Sequence, residues 1–386
     1  MTIHPSHTPD RLVLEGVPRV HFYEGGERCP EDIILPSVMR AVVEFLGDTE
    51  YGCKHCLVQN PDCKVMCTYA FLTGVSGAAS FLSWKEGWHE DNMASVYITG
   101  DPGEPERRIF EATGYAYERL AKVEGRDSEA LFRRRIWESI QRGVPVIGYG
   151  IIGPPEAAII TGYDEGGDVL LGWSFFQNVP EFNAGVEFEP TGYFRKRDWF
   201  RDTEGLLVIG ERRDKPSLDE TYRSALGWML EVTRTPLVRP GREAPEQYRE
   251  RHNGLSAYTA WADHLLRDED FPAGDEVVLR ARHEIHNAAV GTLAEARWYG
   301  ATFLTMADHF AAGPGRRGSM GDILHAAAYY AAEHDLMWVV WELAGGIGNP
   351  DGYRALADPA VRRAMAGIIL QARDSDARAA DHIERA

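Results

Sequence analysis

GVPVIGYGIIGPPEAAIITGYDEGGDVLLGWSFF, residues 143–176, is the stretch on which the fold turns. Between residues 143 and 163 the only charge is Glu156, so on hydropathy alone the segment passes for a membrane span. Three prolines and five glycines in that window rule out a continuous helix. What remains is PVIGYGII, AAIITGYD and DVLLGWSFF, short runs rich in β-branched and aromatic residues and separated by GPPE and EGG. That pattern predicts adjacent strands joined by tight turns.

Working outward, SEALFRRRIWESIQRG (128–143) has the apolar spacing of an amphipathic helix closed by Gly143, and LLVIGER (206–212) reads as a further strand. Upstream, SVMRAVVEFLG (37–47) predicts a helix that ends at Gly47, and a second helix is expected from about Thr68 through AFLTGVSGAASFLSW. From RDKPS (213–217) onward the composition shifts to Ala, Leu, Arg, Glu and Trp. Helices are expected at 254–266, about 276–312, about 320–343 and from about Tyr353 to the end, with bends at 313–318 and 345–352. The fold class is α+β, organised as a mixed domain over 1–212 and a helical domain over 218–386.

At 386 residues with 44% apolar content the chain can bury sizeable cores. Its 41 basic and 59 acidic residues leave a net charge of −18, which repels phosphate backbones and anionic membrane surfaces. Nucleic acid and membrane are therefore not expected partners. MTIHPSHTPDRLVLEG lacks a basic start followed by an apolar core, so no secretory signal is visible and a cytoplasmic location is expected.

Four of the five cysteines fall in YGCKHCLVQNPDCKVMC (51–67), with the spacing C-x2-C-x6-C-x3-C. A C-x2-C knuckle aims two sulfurs at one ion. If helix begins near Cys63, Cys67 follows one turn later on the same face. Cys53, Cys56, Cys63 and Cys67 would then close a tetrahedral zinc site, with an iron–sulfur cluster, disulfides or reduced thiols as the alternatives. Cys67 as a nucleophile at the start of a helix is a further reading.

The order SVMRAVVEFLGD, YAFLTGVSGAASFLSW and GVPVIGYG…AAIITGYDEGGDVLLGWSFF resembles the papain-like domain of the bacteriocin-processing peptidases. It resembles more closely the N-terminal domain of the butirosin-biosynthesis acyltransferase family, whose members also carry a helical C-terminal half. The resemblance implies acyl transfer or amide hydrolysis on a small molecule or peptide. In that family a cysteine opening the first helix is the nucleophile and a histidine before the GY turn is its base. This chain departs from the pattern at both places. The nucleophile position falls near Ile34, with Ser37 the nearest hydroxyl, and the histidine position falls on Glu156. The orienting position falls near Gly172 or Trp173. A catalytically inactive protein of the same fold that binds a small molecule or peptide is the alternative reading.

Ser37 and Glu156 are thus the candidate catalytic pair. A carboxylate serves as a base for serine only when burial raises its pKa. Ser37 also reads as a helix cap after Pro36, and Glu156 as a turn residue. The candidate binding residues are Trp88, His89, Tyr163 and Trp173. The resemblance would gather Trp88, Tyr163 and Trp173 with Trp84, Phe175 and Phe176 around one cleft, although most of these rings read better as core. His89 sits in a loop between Trp88 and two acids and would line a pocket or lie on the surface. His283 and His286 are expected to be solvated helix positions. Tyr258, Trp261, Trp298, Tyr299, Trp338 and Trp341 are expected to pack helix on helix.

Overall fold

The computed structural model describes residues 10–24, 30–48, 51, 61–92, 101, 103–123, 128–238, 250–311 and 320–386. Its strands in chain order are β1 (Leu12–Val13), β2 (Ser83–Trp84), β3 (Tyr115–Ala121), β4 (Val146–Tyr149), β5 (Ala157–Asp164), β6 (Val169–Trp173), β7 (Val186–Phe188), β8 (Phe194–Arg197), β9 (Gly205–Arg212), β10 (Leu237–Val238) and β11 (Arg251–Asn253). The helices are α1 (Ile34–Phe45), α2 (Pro61–Ser76), α3 (Gly103–Thr113), α4 (Ser128–Gln141), α5 (Leu218–Arg234), α6 (Leu255–Leu265), α7 (Glu276–Ala311), α8 (Met320–Leu343) and α9 (Pro359–Arg385). The protein is α+β, and none of these helices is long and apolar enough to cross a membrane.

The chain forms two compact units. One comprises residues 1–50 and 113–215, the other 51–112 and 216–386. The expected division near residue 215 is one of the crossings. The expected single mixed domain over 1–212 differs from this partition, because residues 51–112 belong to the helical unit. There α2 packs against α5 and α7, contacts that no local pattern announces.

In the first unit the strands form an antiparallel sheet in the order β3-β9-β4-β5-β6-β8-β7, and β1 pairs with the outer half of β5. The three runs of the 143–176 stretch become β4, β5 and β6, neighbours in the sheet as their turns require. Both faces are covered. Phe132, Ile136 and Ile140 of α4 pack with Val146, Ala158, Ile160, Leu206 and Val208, while the alternate residues Ile147, Ile159, Leu207 and Ile209 are buried on the opposite side. Each of the Val, Ile, Leu and Phe side chains among them contributes about 1.5–3 kcal/mol on full burial. Helix α1 lies against β5 and ends as expected at Gly47, whose φ of 72° suits a residue without a Cβ.

Gly162 allows the N-terminal segment to reach the sheet: a Cβ there would lie 2.5 Å from the Leu12 carbonyl oxygen. The segment is then tied down residue by residue. Leu14 N–H bonds the Thr161 carbonyl at 2.8 Å, and the Tyr193 hydroxyl donates to the Leu14 carbonyl (2.9 Å) while accepting from Val17 N–H (3.0 Å). Trp173 Nε1–H donates to the Val17 carbonyl at 2.9 Å. Phe22 then sits 5.1 Å from Phe175 and 5.2 Å from Phe176, ring centre to ring centre.

The second unit is built on α7, α8 and α9, with α2, α5 and α6 packed around them and a small antiparallel sheet β10-β11-β2 at one side. Its core joins Trp84, Trp88, Tyr258 and Trp261 to aliphatic residues of α7, α8 and α9. Trp261 and Tyr299 are buried as expected, but Trp298 and Trp338 are exposed. His283 and His286 are buried, contrary to their reading as solvated positions. His286 Nδ1 accepts from Trp261 Nε1–H at 3.3 Å, and desolvation pushes this imidazole down to about 3, so it stays neutral.

Candidate functional site

Segment 19–23, residues 30–32 and the first turns of α1 enclose a cavity of about 150 Å³ in the first unit. Arg19, His21, Tyr23, Glu31, Asp32, Ser37 and Arg40 supply its polar lining. The tethers described above hold one wall, and Asp32 Oδ1 accepts from Tyr23 N–H at 2.7 Å to join that wall to the approach to α1.

The centre of the site is a one-cation, two-carboxylate group. Arg40 Nε–H donates to Glu31 at 2.8 Å and Nη1–H to Glu44 at 2.8 Å, while Nη2–H reaches the Arg19 carbonyl at 3.4 Å. Ser37 lines the same cavity as Glu31 and, with Arg40, pulls its pKa down. Burial raises the Glu31 pKa, and the opposing pull of Arg40 and Ser37 does not cancel that rise. Ser37 is itself buried, and it stands at the positive end of α1.

Ser37 is not the helix cap. Ile33 occupies that position without a side-chain cap, and Ser37 N–H bonds the Ile33 carbonyl at 3.1 Å. The carboxylate that shares the cavity with Ser37 is Glu31, which no motif in the sequence singles out. A signal was present: Arg40 interrupts the apolar run SVMRAVVEF and needs acidic partners wherever that run is buried.

Glu156 lies in the turn immediately before β5. Its side chain is half-buried, and among the described residues none gives it a hydrogen bond or ion pair. The protein crowded around it raises it to about 7 through desolvation alone. The turn packs on the same aromatic group as the cavity wall: a Cβ on Gly153 would lie 3.0 Å from Phe176, the ring that Phe22 also touches.

The four expected binding residues are divided between the two units. Trp173 lies beside the site, with the Arg19 guanidinium 6.0 Å from its ring centre. Tyr163 is buried in the sheet core against Trp137 of α4. Trp88 and His89 belong to the other unit. There Trp88 Nε1–H donates to Asp270 at 3.2 Å in a cluster with Trp84, and exposed His89 sits 2.8 Å from the Glu86 carbonyl.

Of the expected metal ligands, Cys53, Cys56 and the side chain of Cys63 lie outside the described residues. The backbone agrees with the spacing argument, because α2 starts at Pro61 and positions 63 and 67 fall one turn apart. Cys67 is buried. No family model matches the chain, and no curated protein sequence matches it.

Proposed function

We propose that the first unit is a papain-like domain adapted to acyl transfer or amide hydrolysis on a small molecule or peptide, with Ser37 as nucleophile and Glu31 as its base. One observation carries this reading: Ser37, at the positive end of α1, and Glu31, a carboxylate that burial makes more basic, line one cavity. In the first step Ser37 Oγ bonds to the acyl carbon as its proton passes to Glu31, and the developing oxyanion is stabilised by the α1 dipole. Collapse breaks the bond to the leaving amine or alcohol, which takes the proton back from Glu31. Water or a second acceptor then attacks the Ser37 ester by the same route. A cavity of about 150 Å³ is smaller than the roughly 300–1,000 Å³ of sites that enclose whole ligands. It suits the acyl end of a substrate, with the remainder outside.

The second reading, ligand binding without turnover, is favoured by the Arg40 clamp. An ion pair at 2.8 Å opposes protonation of Glu31 and so weakens it as a base. A fluorophosphonate probe separates the two. Covalent labelling that maps to Ser37 and is lost in Ser37→Ala and strongly reduced in Glu31→Gln supports catalysis. Intact wild-type protein that never labels, while a small molecule copurifies with it and is lost in Arg40→Met, supports binding alone.

Separately, we propose a structural zinc-class site on Cys53, Cys56, Cys63 and Cys67. Protein purified without added metal is expected to carry about one equivalent of zinc by elemental analysis, lost when any one of the four is replaced by serine. Metal-free protein with four titratable thiols in the native state would refute that proposal.

A further inference from the structure

The helical unit carries a second constellation of metal-ligating side chains. Asp322 and His325 lie three residues apart on α8, which brings them to one face, and His382 comes from the last turn of α9. One ligand atom from each lies within 4.8 Å of the others. His382 Nδ1 is 2.6 Å from Asp322 Oδ1, and the two imidazole rings stand 5.0 Å apart.

An interhelix ion pair between Asp322 and His382 accounts for two of these residues but not for His325. His325 is exposed and has no hydrogen bond among the described residues, so neither ring nitrogen is committed. Two imidazoles and one carboxylate on packed helices form a half-open set suited to a divalent metal of the zinc, cobalt or nickel class. Calcium and magnesium prefer all-oxygen donors.

We propose that Asp322, His325 and His382 bind one such ion and that it clamps the start of α8 to the end of α9. Three protein ligands leave at least one position to water. Bonds of about 2.0–2.2 Å place tetrahedral donors about 3.3 Å apart, so the exposed His325 ring must rotate inward and the 2.6 Å hydrogen bond between His382 and Asp322 must open and release its proton. Arg385 Nε–H also donates to Asp322 Oδ1, at 3.3 Å, and must release it. Arg385 is exposed, so the release costs little.

The test is titration of the full chain with cobalt(II), followed by visible absorption. This resolves the site from the cysteines, because thiolate ligands add an intense near-ultraviolet charge-transfer band that imidazole and carboxylate do not. Wild type is expected to bind one equivalent free of that band. In His325→Ala, a variant of an exposed residue that leaves the fold unchanged, the affinity of this equivalent should fall at least as far as on loss of an outer-shell partner, roughly 10- to 100-fold. Asp322→Asn should lose it as well. Identical titrations of wild type and His325→Ala, or bound cobalt carrying only the thiolate band, would overturn the proposal.

Discussion

Each unit holds an arginine between two acids, and the two groups are built to opposite ends. In the helical unit Arg297 Nη2–H donates to Asp376 at 2.9 Å and Nε–H to Glu333 at 3.1 Å. Its Nη1–H donates to the Ala79 carbonyl at 2.7 Å, and the Tyr258 hydroxyl accepts from Nη2–H at 2.9 Å while donating to Glu333 at 2.7 Å. All three charged side chains are fully enclosed. Burial, with the neighbouring Asp376 charge, holds Glu333 well above the usual carboxylate range, so one proton in the pair brings the cluster to neutrality. In the first unit Arg40 and Glu31 are nearly as buried, but Glu44 reaches solvent and a cavity opens beside the pair. The sealed group spends every donor of its guanidinium on holding elements together. The open one leaves a serine and a raised carboxylate facing space, so access rather than charge distinguishes a fold-holding group from a candidate site.

Replacing each arginine in turn tests this difference. Arg297→Met should be the most damaging change, costing about 3–5 kcal/mol, because it strands two enclosed carboxylates that shared one cation. The deficit should shrink on acidification as those carboxylates take up protons. Arg40→Met should cost less, about 1–3 kcal/mol, since Glu44 retains water and Glu31 can protonate. Urea unfolding of the two variants at pH 7, and again at pH 5, measures both costs. Equal losses would mean that the cavity does not relieve the Arg40 group, and the contrast between the units would fail.

Much of the first unit was legible because glycine and proline punctuate it. GPPE and EGG mark the turns of β4, β5 and β6, and the positive φ values of Gly47 and Gly143 close α1 and α4 where expected. Local pattern says nothing about which core a segment joins, and residues 51–112, expected in the mixed domain, fall in the helical unit. The helix expected from Thr68 begins at Pro61, a residue whose missing N–H suits the first helical position. β10 and β11 were missed because strands of two and three residues exist only through pairing with each other and with Ser83–Trp84. At the site, Ser37 was visible as the first hydroxyl of α1, whereas Glu31 was not. A carboxylate six positions earlier lines the same cavity only because the chain turns into the helix between them. His325 and His382 are likewise joined by the packing of α8 on α9.

Glu156 extends the comparison to a carboxylate with no cation among the described residues, and its expected effect is the smallest. Its folded-state pKa of about 7 lies above the ordinary value of 4.5, so between those limits the native state binds more protons than the unfolded chain. Stability therefore falls as pH rises from about 4.5 to about 7, and below that window the acid is neutral in both states and nothing is lost. A shift of this size is worth about 3 kcal/mol at full burial, and the half-buried position reduces the expected loss to about 1–2 kcal/mol. Glu156→Gln mimics the neutral acid at every pH. The variant should match wild type in urea unfolding at pH 4, exceed it by about 1–2 kcal/mol at pH 8, and flatten the intervening slope. Parallel profiles for the two proteins would mean that Glu156 is solvated as an ordinary turn residue. A variant less stable at both pH values would mean that the carboxylate has a partner in the native state, which would place Glu156 with Glu31 and Glu333 among the compensated acids.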